Sequence, residues 1–397
     1  MLERAREIEG KVRAWRRDFH MHPELGFQET RTAARVAEIL GSLGYRVRTG
    51  VGKTGVVADL GQGSPVIAIR ADMDALPIQE ANEEAYASQN PGVMHACGHD
   101  AHTAIALGAA TLLASEKFSG TARFLFQPAE EVADAEGVSG APRMIADGAM
   151  AGVHRILALH VDASLPIGDI AVEEGPASGG VDTFYATIIG RGGHGARPNE
   201  VVDPIYIGAY VILALNGIVS RRLHPFDPAV VSIGTLHAGN TDNVIPDRVE
   251  TSGTMRYMDL KVREEIQAEI ERAFEVARTL GGDYELRFET GYPPMMNNPE
   301  VVQVIRETAA GMLGDEHILV PEKELGAEDF SFLAQLAPGA MFRLGCRIEG
   351  DERQHHNPRF DVDEGCLAIG AAILAQVART LCKGLKQEGF EGIKASQ

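Results

Sequence analysis

The residues best suited to chemistry in this 397-residue chain lie between His95 and His102, in the segment HACGHDAH. In an extended segment, residues two apart point to the same side, so Cys97 and His99 can bind one metal ion together. Gly98 permits a tight backbone, and a helix is predicted to begin directly after it. His102 falls one turn into that helix, where it could orient a ligand instead of binding metal. A small buried cysteine with capping neighbours is the alternative.

Two adjacent carboxylates, Glu130 and Glu131, follow an apolar strand that is predicted at 121–127. Ligands and catalytic groups of open α/β sheets gather at the carboxyl ends of the strands. Neighbouring carboxylates there repel each other unless a cation lies between them. One could therefore bind a metal ion while the other acts as a general base. A solvated loop is the simpler interpretation of the pair taken alone.

Further histidines lie at comparable positions. His160 ends an apolar strand predicted at 156–161, and His355 and His356 lie in a polar loop before the last predicted helix. Each histidine alone could be a hydrogen-bonded structural residue. Together with the cysteine and the glutamates, they indicate a divalent metal site. A thiolate with several imidazoles and carboxylates suits Zn²⁺, Ni²⁺, Co²⁺ or Mn²⁺ better than Ca²⁺ or Mg²⁺.

The segment 190–195, Gly-Arg-Gly-Gly-His-Gly, has the glycine spacing of a dinucleotide-binding fingerprint. That fingerprint must open a helix directly and be followed by an acidic residue about 20 positions later. Here Pro198 intervenes, and position 215 is a leucine. We therefore interpret the segment as a glycine-rich loop that presents His194.

The order of predicted elements defines the fold class. In the first half, short apolar strands alternate with helices, which favours an α/β domain with a mostly parallel sheet covered on both faces. Between 181 and 293 the order is β-α-β-β-α-β, the ferredoxin-like arrangement. We expect residues 1–180 and 294–397 to form one domain and 181–293 to be an inserted domain.

Charge and composition limit the partners. Lys plus Arg is 37 and Asp plus Glu is 56, a net charge of −19, which argues against nucleic acid or an anionic membrane surface. The charged residues 1–20 do not resemble a secretory signal, and the uncharged run at 204–220 predicts a buried core helix. Four cysteines do not form a disulfide scaffold, which indicates a reducing cytoplasm. A solvated helix face is expected for the basic residues Lys11, Arg13, Arg16 and Arg17.

These motifs together resemble the metal-dependent N-acyl-amino-acid amidohydrolases. This family includes hippurate hydrolase, plant auxin–amino-acid conjugate hydrolases and, more distantly, zinc aminoacylase and carboxypeptidase G. The resemblance covers nearly the whole chain and is specific for the family but not for a substrate. It is carried by nine motifs in order: HMHPELGFQE (20–29), RADMDALP (70–77), HACGHDAH (95–102), QPAEE (127–131), GGHGARP (192–198), NVIPD (243–247), GTMR (253–256), GAEDFS (326–331) and HHNPRF (355–360).

The resemblance implies a phosphorylase/peptidase-like α/β catalytic domain that holds two divalent metal ions, Mn²⁺ or Zn²⁺, and an inserted lid that also dimerises. Cys97 would bridge the ions and Glu130 would be the general base. Distant relatives carry a metal-binding histidine where this chain has Arg70, so Asp72 is left to support the ligands without binding metal. By motif match, the ligands would be Cys97, His99, Glu131, His160 and His356.

The implied reaction is hydrolysis of the amide bond of a small N-acyl amino acid, of the hippurate or N-acetyl type. His194 would stabilise the developing oxyanion, and Arg256 with Asn243 would bind the substrate carboxylate. The sequence leaves open whether His194 acts in its own or a partner subunit's site of a homodimer or higher oligomer. A metallocarboxypeptidase or dipeptidase on the same scaffold is one alternative. A metal- or amino-acid-binding relative without catalysis is the other.

Overall fold

The computed structural model describes residues 1–116, 120–351 and 353–387. They form two compact units. The second unit comprises residues 176–295 and 323–331, and the first unit contains the rest. These limits lie close to those predicted for the inserted domain, with the short segment 323–331 as an addition.

The elements are numbered in chain order. The helices are α1 (Leu2–Glu7), α2 (Glu9–Met21), α3 (Thr30–Ser42), α4 (His99–Ala114), α5 (Gly140–Ala146), α6 (Pro204–Arg221), α7 (Leu260–Phe274), α8 (Val276–Thr279), α9 (Pro299–Leu313), α10 (Phe330–Ala334) and α11 (Cys366–Gln387). The strands are β1 (Arg46–Val51), β2 (Gly55–Gly61), β3 (Val66–Asp72), β4 (Thr121–Gln127), β5 (Arg155–Asp162), β6 (Ile170–Ala171), β7 (Gly175–Ser178), β8 (Gly180–Ile189), β9 (Gly193–His194), β10 (Ala229–Ala238), β11 (Val244–Ile245), β12 (Arg248–Tyr257), β13 (Asp283–Thr290), β14 (Met295–Asn297), β15 (Ile318–Leu319) and β16 (Gly339–Gly345).

The first unit is built on an eight-stranded sheet in the order β1-β2-β4-β3-β5-β16-β6-β15. Its central strands β4, β3, β5 and β16 are parallel, so the carboxyl ends of β3, β4 and β5 lie at one edge of the sheet. Parallel strands covered on both faces need near-continuous apolar sequence, and β3 is buried at Ile67, Ala68 and Ile69. The mostly parallel α/β fold that the sequence predicted is confirmed.

The second unit is the predicted ferredoxin-like arrangement. Its antiparallel sheet has the order β10-β12-β8-β13, with α6 and α7 packed on one face. Side chains of β8 alternate between buried and half-buried, because successive residues of a strand point to opposite faces. The buried side of the sheet packs with helix residues such as Val211 and Phe274 into a separate hydrophobic core.

Helix α6 corrects one expectation, because only one of its faces is buried. Ile207, Val211 and Leu215 pack in the core of the second unit, whereas Tyr206 is exposed and Leu213 is 70% exposed. The helix covers a single sheet, which leaves its outer face uncovered. By length and composition, α6 and the segment Cys366–Leu385 of α11 could each cross a membrane, but α11 lies largely in the core of the first unit.

Arg16 corrects a second expectation. The predicted solvated face of the N-terminal helix includes exposed Lys11, but Arg16 is fully buried. Its guanidinium donates to Asp100 Oδ2 over 2.8 Å and to Asp361 Oδ1 over 2.7 Å. Asp100 lies in the first turn of α4, where a buried carboxylate needs a cation. Arg16 therefore joins α2 to the start of α4 and to the segment before α11.

We expect Arg16→Met to lower the free energy of unfolding at pH 7 by about 3–5 kcal/mol, because two buried carboxylates lose their cation. Burial opposes ionisation of Asp361 and Asp100, but Arg16 holds the pKa of each carboxyl below its usual range. This stabilisation is present above the unfolded pKa of about 4 and disappears as the pH falls through the lower folded pKa values. The deficit of the variant should therefore shrink in acid.

Urea unfolding, followed by the fluorescence of the single tryptophan, Trp15, measures this difference. Arg17→Met is the matched control, because Arg17 is partly exposed and pairs with Glu364 at the surface. It should cost no more than about 1 kcal/mol. Equal losses in both variants, or a deficit of Arg16→Met that does not change with pH, would contradict the assignment.

Candidate metal centre

Cys97 lies where the chain turns into α4. Gly98 has φ 94° and is the N-cap of the helix, and His99 is the first helical residue. A Cβ atom on Gly98 would lie 2.4 Å from Val161 Cγ2, so only glycine allows the chain to approach β5 this closely. The glycine thereby brings Cys97 and His99 up to the carboxyl end of β5, where His160 lies.

The side chains of Cys97, His99 and His160 form a first group of ligand atoms, all within 4.8 Å of one another. Cys97 Sγ is 3.5 Å from His160 Nε2. The other ring nitrogen of His160 lies 2.7 Å from the carbonyl of Val161, so Nδ1–H donates to it and Nε2 is left for the centre. This is the ring orientation that a metal-binding histidine needs.

Cys97, Glu131 and His356 form a second group within the same limit. His356 Nε2 is 3.1 Å from Glu131 Oε1, and His356 has the left-handed φ of 61°. Because Cys97 belongs to both groups, its sulfur would be within reach of an ion held by either group. The structure therefore brings the five predicted ligands together from four separate segments of the first unit.

The donor atoms fit divalent metal ions. Glu131 Oε1 is buried, and its contact with His356 lacks hydrogen-bond geometry, so this oxygen is available to a cation. Burial lowers the pKa of His160 far below its usual value, which keeps the imidazole neutral as a ligand must be. Burial also raises the pKa of the Cys97 thiol, so a thiolate there calls for a nearby cation. One sulfur, three imidazoles and a carboxylate suit Zn²⁺, Mn²⁺, Co²⁺ or Ni²⁺.

Glu130 lies beside this centre. One carboxylate oxygen each from Glu130 and Glu131 lies within 4.8 Å of the other and of a ring nitrogen of His99. Glu130 is buried, with 8% of its surface exposed. The carboxylate predicted as general base is thus next to the ligands and is shielded from bulk water.

Asp72 supports the centre indirectly, through His102. Asp72 Oδ1 is 2.6 Å from His102 Nδ1, and His102 Nε2 accepts the N–H of Val161 over 2.9 Å. Both ring nitrogens of His102 are therefore in use, so this histidine orients its neighbours and does not bind metal. The other carboxylate oxygen of Asp72 accepts from Arg70 and is 3.8 Å from His99 Nε2.

Asp74 is the supporting residue that the sequence reasoning missed. Its Oδ1 and its carbonyl lie 3.1 Å and 2.9 Å from His99 Nδ1, and its Oδ2 accepts the N–H of Glu131 over 3.0 Å. Asp74 thus orients one ligand of each group. The signal was present in the segment RADMD, where Asp72 and Asp74 are two residues apart at the end of β3.

The second unit brings together only two of its three predicted site residues. His194 in β9 pairs with Val244 in β11, and the carbonyl of Asn243 accepts the N–H of Gly195 over 2.9 Å. Arg256 lies near the far end of β12, about 26 Å from Arg248 at the usual rise of about 3.3 Å per residue. Since β9 pairs with β11, which leads directly into the start of β12, His194 lies near the Arg248 end of β12 and Arg256 near its other end.

Comparisons with known proteins identify the family of the chain. Residues 68–380 match the family model of peptidase family M20/M25/M40. The chain is 43% identical over 324 residues to an N-acyl-L-amino acid amidohydrolase of Geobacillus stearothermophilus, covering 78% of this chain and 86% of that protein. It is 41% identical over 382 residues to thermostable carboxypeptidase 1 of Saccharolobus solfataricus, covering 94% and 96%.

Among solved structures, the Bacillus subtilis YXEP protein, described as a dinuclear metal binding peptidase from the M20 family, superposes with a TM-score of 0.84. Its sequence is 34% identical, and the match covers 95% of this chain and 99% of that one. The chain therefore belongs to peptidase family M20/M25/M40, a family of metal-dependent hydrolases. The resemblance drawn from the sequence motifs is confirmed at this level.

We expect Cys97→Ala to lose both bound metal ions, because its sulfur belongs to both ligand groups. Glu131→Ala, which changes only the second group, should lose about one equivalent of two. Elemental analysis after dialysis measures the metal content of each variant. Cys346→Ala is the matched control, because Cys346 is a buried cysteine outside both groups, and it should keep its metal. Full metal content in Cys97→Ala would rule out the bridging assignment.

Proposed function

We propose that this chain hydrolyses the amide bond of small N-acyl amino acids, of the N-acetyl or hippurate type, to a carboxylic acid and a free amino acid. The observation that carries the proposal is Glu130, a buried carboxylate beside the predicted metal ligands. Binding of metal or amino acid alone does not need a second carboxylate there. The name of the Geobacillus relative supports the substrate class.

The proposed cofactors are two divalent ions, Mn²⁺ or Zn²⁺, with Ni²⁺ or Co²⁺ as further possibilities. Cys97, His99 and His160 would hold one ion, and Cys97, Glu131 and His356 the other. When bound, such ions polarise a carbonyl oxygen and lower the pKa of a water molecule. The solved Bacillus relative, described as dinuclear, supports a count of two.

Glu130 is proposed to move the proton. Its carboxylate accepts a proton from the attacking water and returns it to the leaving nitrogen of the amide. Burial excludes bulk water from Glu130, which favours transfer between the carboxylate and the reacting groups. Asp74 and Asp72 hold His99 and His102 in place meanwhile, so that the ligands keep their geometry.

Three residues of the second unit are proposed to act on the substrate. The guanidinium of Arg256 offers a two-pronged donor for the free carboxylate, and burial lowers its pKa without discharging it at neutral pH. Because Asn243 lies beside His194 and not near Arg256, we no longer assign it to the substrate carboxylate; with His194 it would stabilise the developing oxyanion. An N-acetyl amino acid is about as long as two residues, roughly 7 Å, which is far shorter than the length of about 26 Å that separates the two ends of β12. We therefore infer that Arg256 and His194 of one chain serve different metal centres of a homodimer.

The outer surface of the second unit supports such a dimer. The uncovered face of α6 presents Tyr206, Tyr210 and Leu213, and β10 is an edge strand of the sheet with Leu236 exposed. An edge strand has unpaired backbone groups, and an apolar surface beside it favours pairing with a second copy.

One alternative is favoured by a specific observation. The Saccharolobus relative is named a carboxypeptidase and matches 94% of this chain. A peptide also ends in a free carboxylate, which Arg256 would bind equally well. The two activities differ only in the group on the other side of the scissile amide.

We expect the purified protein, loaded with Mn²⁺ or Zn²⁺, to cleave N-acetyl and N-benzoyl amino acids faster than the corresponding dipeptides. Glu130→Gln keeps the shape and the metal but cannot accept a proton, so its kcat should fall by about 10²–10⁴-fold. Release of free amino acid measures both rates. Faster cleavage of dipeptides would favour the carboxypeptidase, and normal turnover by Glu130→Gln would refute the role of the base.

A mixing experiment tests the sharing of His194. Glu130→Gln and His194→Ala should each be almost inactive alone. Subunits of the two variants, refolded together, should regain about a quarter of the parental activity, because half of random dimers are mixed and each has one complete centre. Glu130→Gln mixed with Glu131→Ala is the control, because both changes lie in the metal centre. No recovery in mixed dimers would mean that His194 serves its own chain.

A further inference from the structure

Glu29 is a fully buried carboxylate that the proposed reaction does not use. It lies directly before α3 and accepts hydrogen bonds from the hydroxyl of Thr54, over 2.5 Å, and from the backbone N–H of Ala129, over 2.8 Å. Burial raises the pKa of Glu29 to about 7, and the nearby charge of Asp74 adds to this shift. Burying a carboxyl group costs free energy unless its contacts compensate, so the contacts of Glu29 should explain why it is there.

The hydrogen bond between Glu29 and the backbone of Ala129 explains why this carboxyl group is buried. Ala129 has φ 45°, a left-handed conformation that alanine adopts rarely. Both of its backbone polar groups are held, since its N–H donates to Glu29 and its carbonyl accepts from Gly140 over 2.9 Å. A Cβ atom on Gly140 would lie 1.6 Å from Pro128 O, so only glycine can approach the loop this closely. The hydrogen bond to Glu29 on one side and the close approach of Gly140 on the other therefore hold the backbone of Ala129 in this conformation.

The residues that follow this turn are the two glutamates of the centre. The direction of the backbone at Ala129 sets where Glu130 and Glu131 point. The N–H of Glu131 is held in turn by Asp74 Oδ2 over 3.0 Å. Two buried carboxylates therefore hold the amides on either side of Glu130, and both come from outside the loop.

We propose that Glu29 is a positioning residue, which holds the Ala129 amide so that Glu130 and Glu131 reach the metal centre in the correct orientation. The inference rests on the proposed function, in which Glu130 is the base and Glu131 a ligand. It assigns Glu29 no contact with the substrate.

Two substitutions test separately the hydrogen bond to the Ala129 amide and the negative charge of Glu29. Glu29→Gln keeps the length and one acceptor oxygen for the Ala129 amide but loses the charge. Glu29→Asp keeps the charge but is one methylene shorter, so its oxygen is drawn away from that amide. We expect kcat of Glu29→Gln to stay within about threefold of the parent. For Glu29→Asp we expect kcat to fall at least about tenfold with little change in KM.

Titration of metal-free protein with Co²⁺ gives a readout that does not depend on turnover. Glu131 belongs to only one ligand group, so Glu29→Asp should weaken one of the two equivalents by at least about tenfold and leave the other unchanged. Glu29→Gln should titrate like the parent. Glu24→Gln is the matched control, because Glu24 caps the same helix through the N–H groups of Arg31 and Thr32. It should lower Tm without changing kcat or the titration.

Two outcomes would overturn the proposal. If Glu29→Asp lowers only Tm, like Glu24→Gln, then Glu29 merely stabilises the fold. If kcat of Glu29→Gln falls as strongly as that of Glu29→Asp, activity depends on the charge of Glu29 and not on its hydrogen bond to Ala129. If neither the parent nor Glu24→Gln hydrolyses any N-acyl amino acid, the proposed function fails, and the Co²⁺ titration still decides the role of Glu29.

Discussion

Several ionisable side chains crowd around the Cys97 sulfur, and such groups can be buried together only where each has a partner. Cys97 belongs to both ligand groups, so the two share one sulfur and cannot be moved apart independently. His160 is oriented by the carbonyl of Val161, and His99 by Asp74. The parallel strands meet this requirement because their carboxyl ends deliver side chains to one edge of the sheet.

Acidic side chains carry out most of the positioning in the first unit. Asp72 holds His102, Asp74 holds His99, and Asp100 pairs with the buried Arg16. Each is almost completely buried, and each is hydrogen-bonded to a cation, an imidazole or a backbone amide. A buried carboxylate with such partners gives a rigid, directional contact, since its oxygens accept along defined directions. This is also the geometry that Glu29 offers to the backbone of the loop before Glu130.

The second unit has a different design. One face of its sheet is covered by α6 and α7, and the outer face of α6 stays uncovered. His194 lies in the two-stranded sheet that leads into one end of β12, whereas Arg256 lies near the other end of β12, a separation that one small substrate cannot span. A unit of this shape suits an assembly in which two copies complete each other, in line with the dimer proposed from its exposed apolar surface.

The sequence alone determined the main strands and helices, including the ferredoxin-like order of the insert, and the chemical class of the ligands around Cys97, but it did not give β1 or α5. These follow from local pattern, because the periodicity of apolar residues and the spacing of Cys97 and His99 are properties of short segments. Only the tertiary structure decided that Arg16 is buried, that Asp74 supports His99, and that Arg256 lies far from His194. Each of these depends on which distant segments pack together, and a short window of sequence holds no information on a partner that is tens or hundreds of residues away.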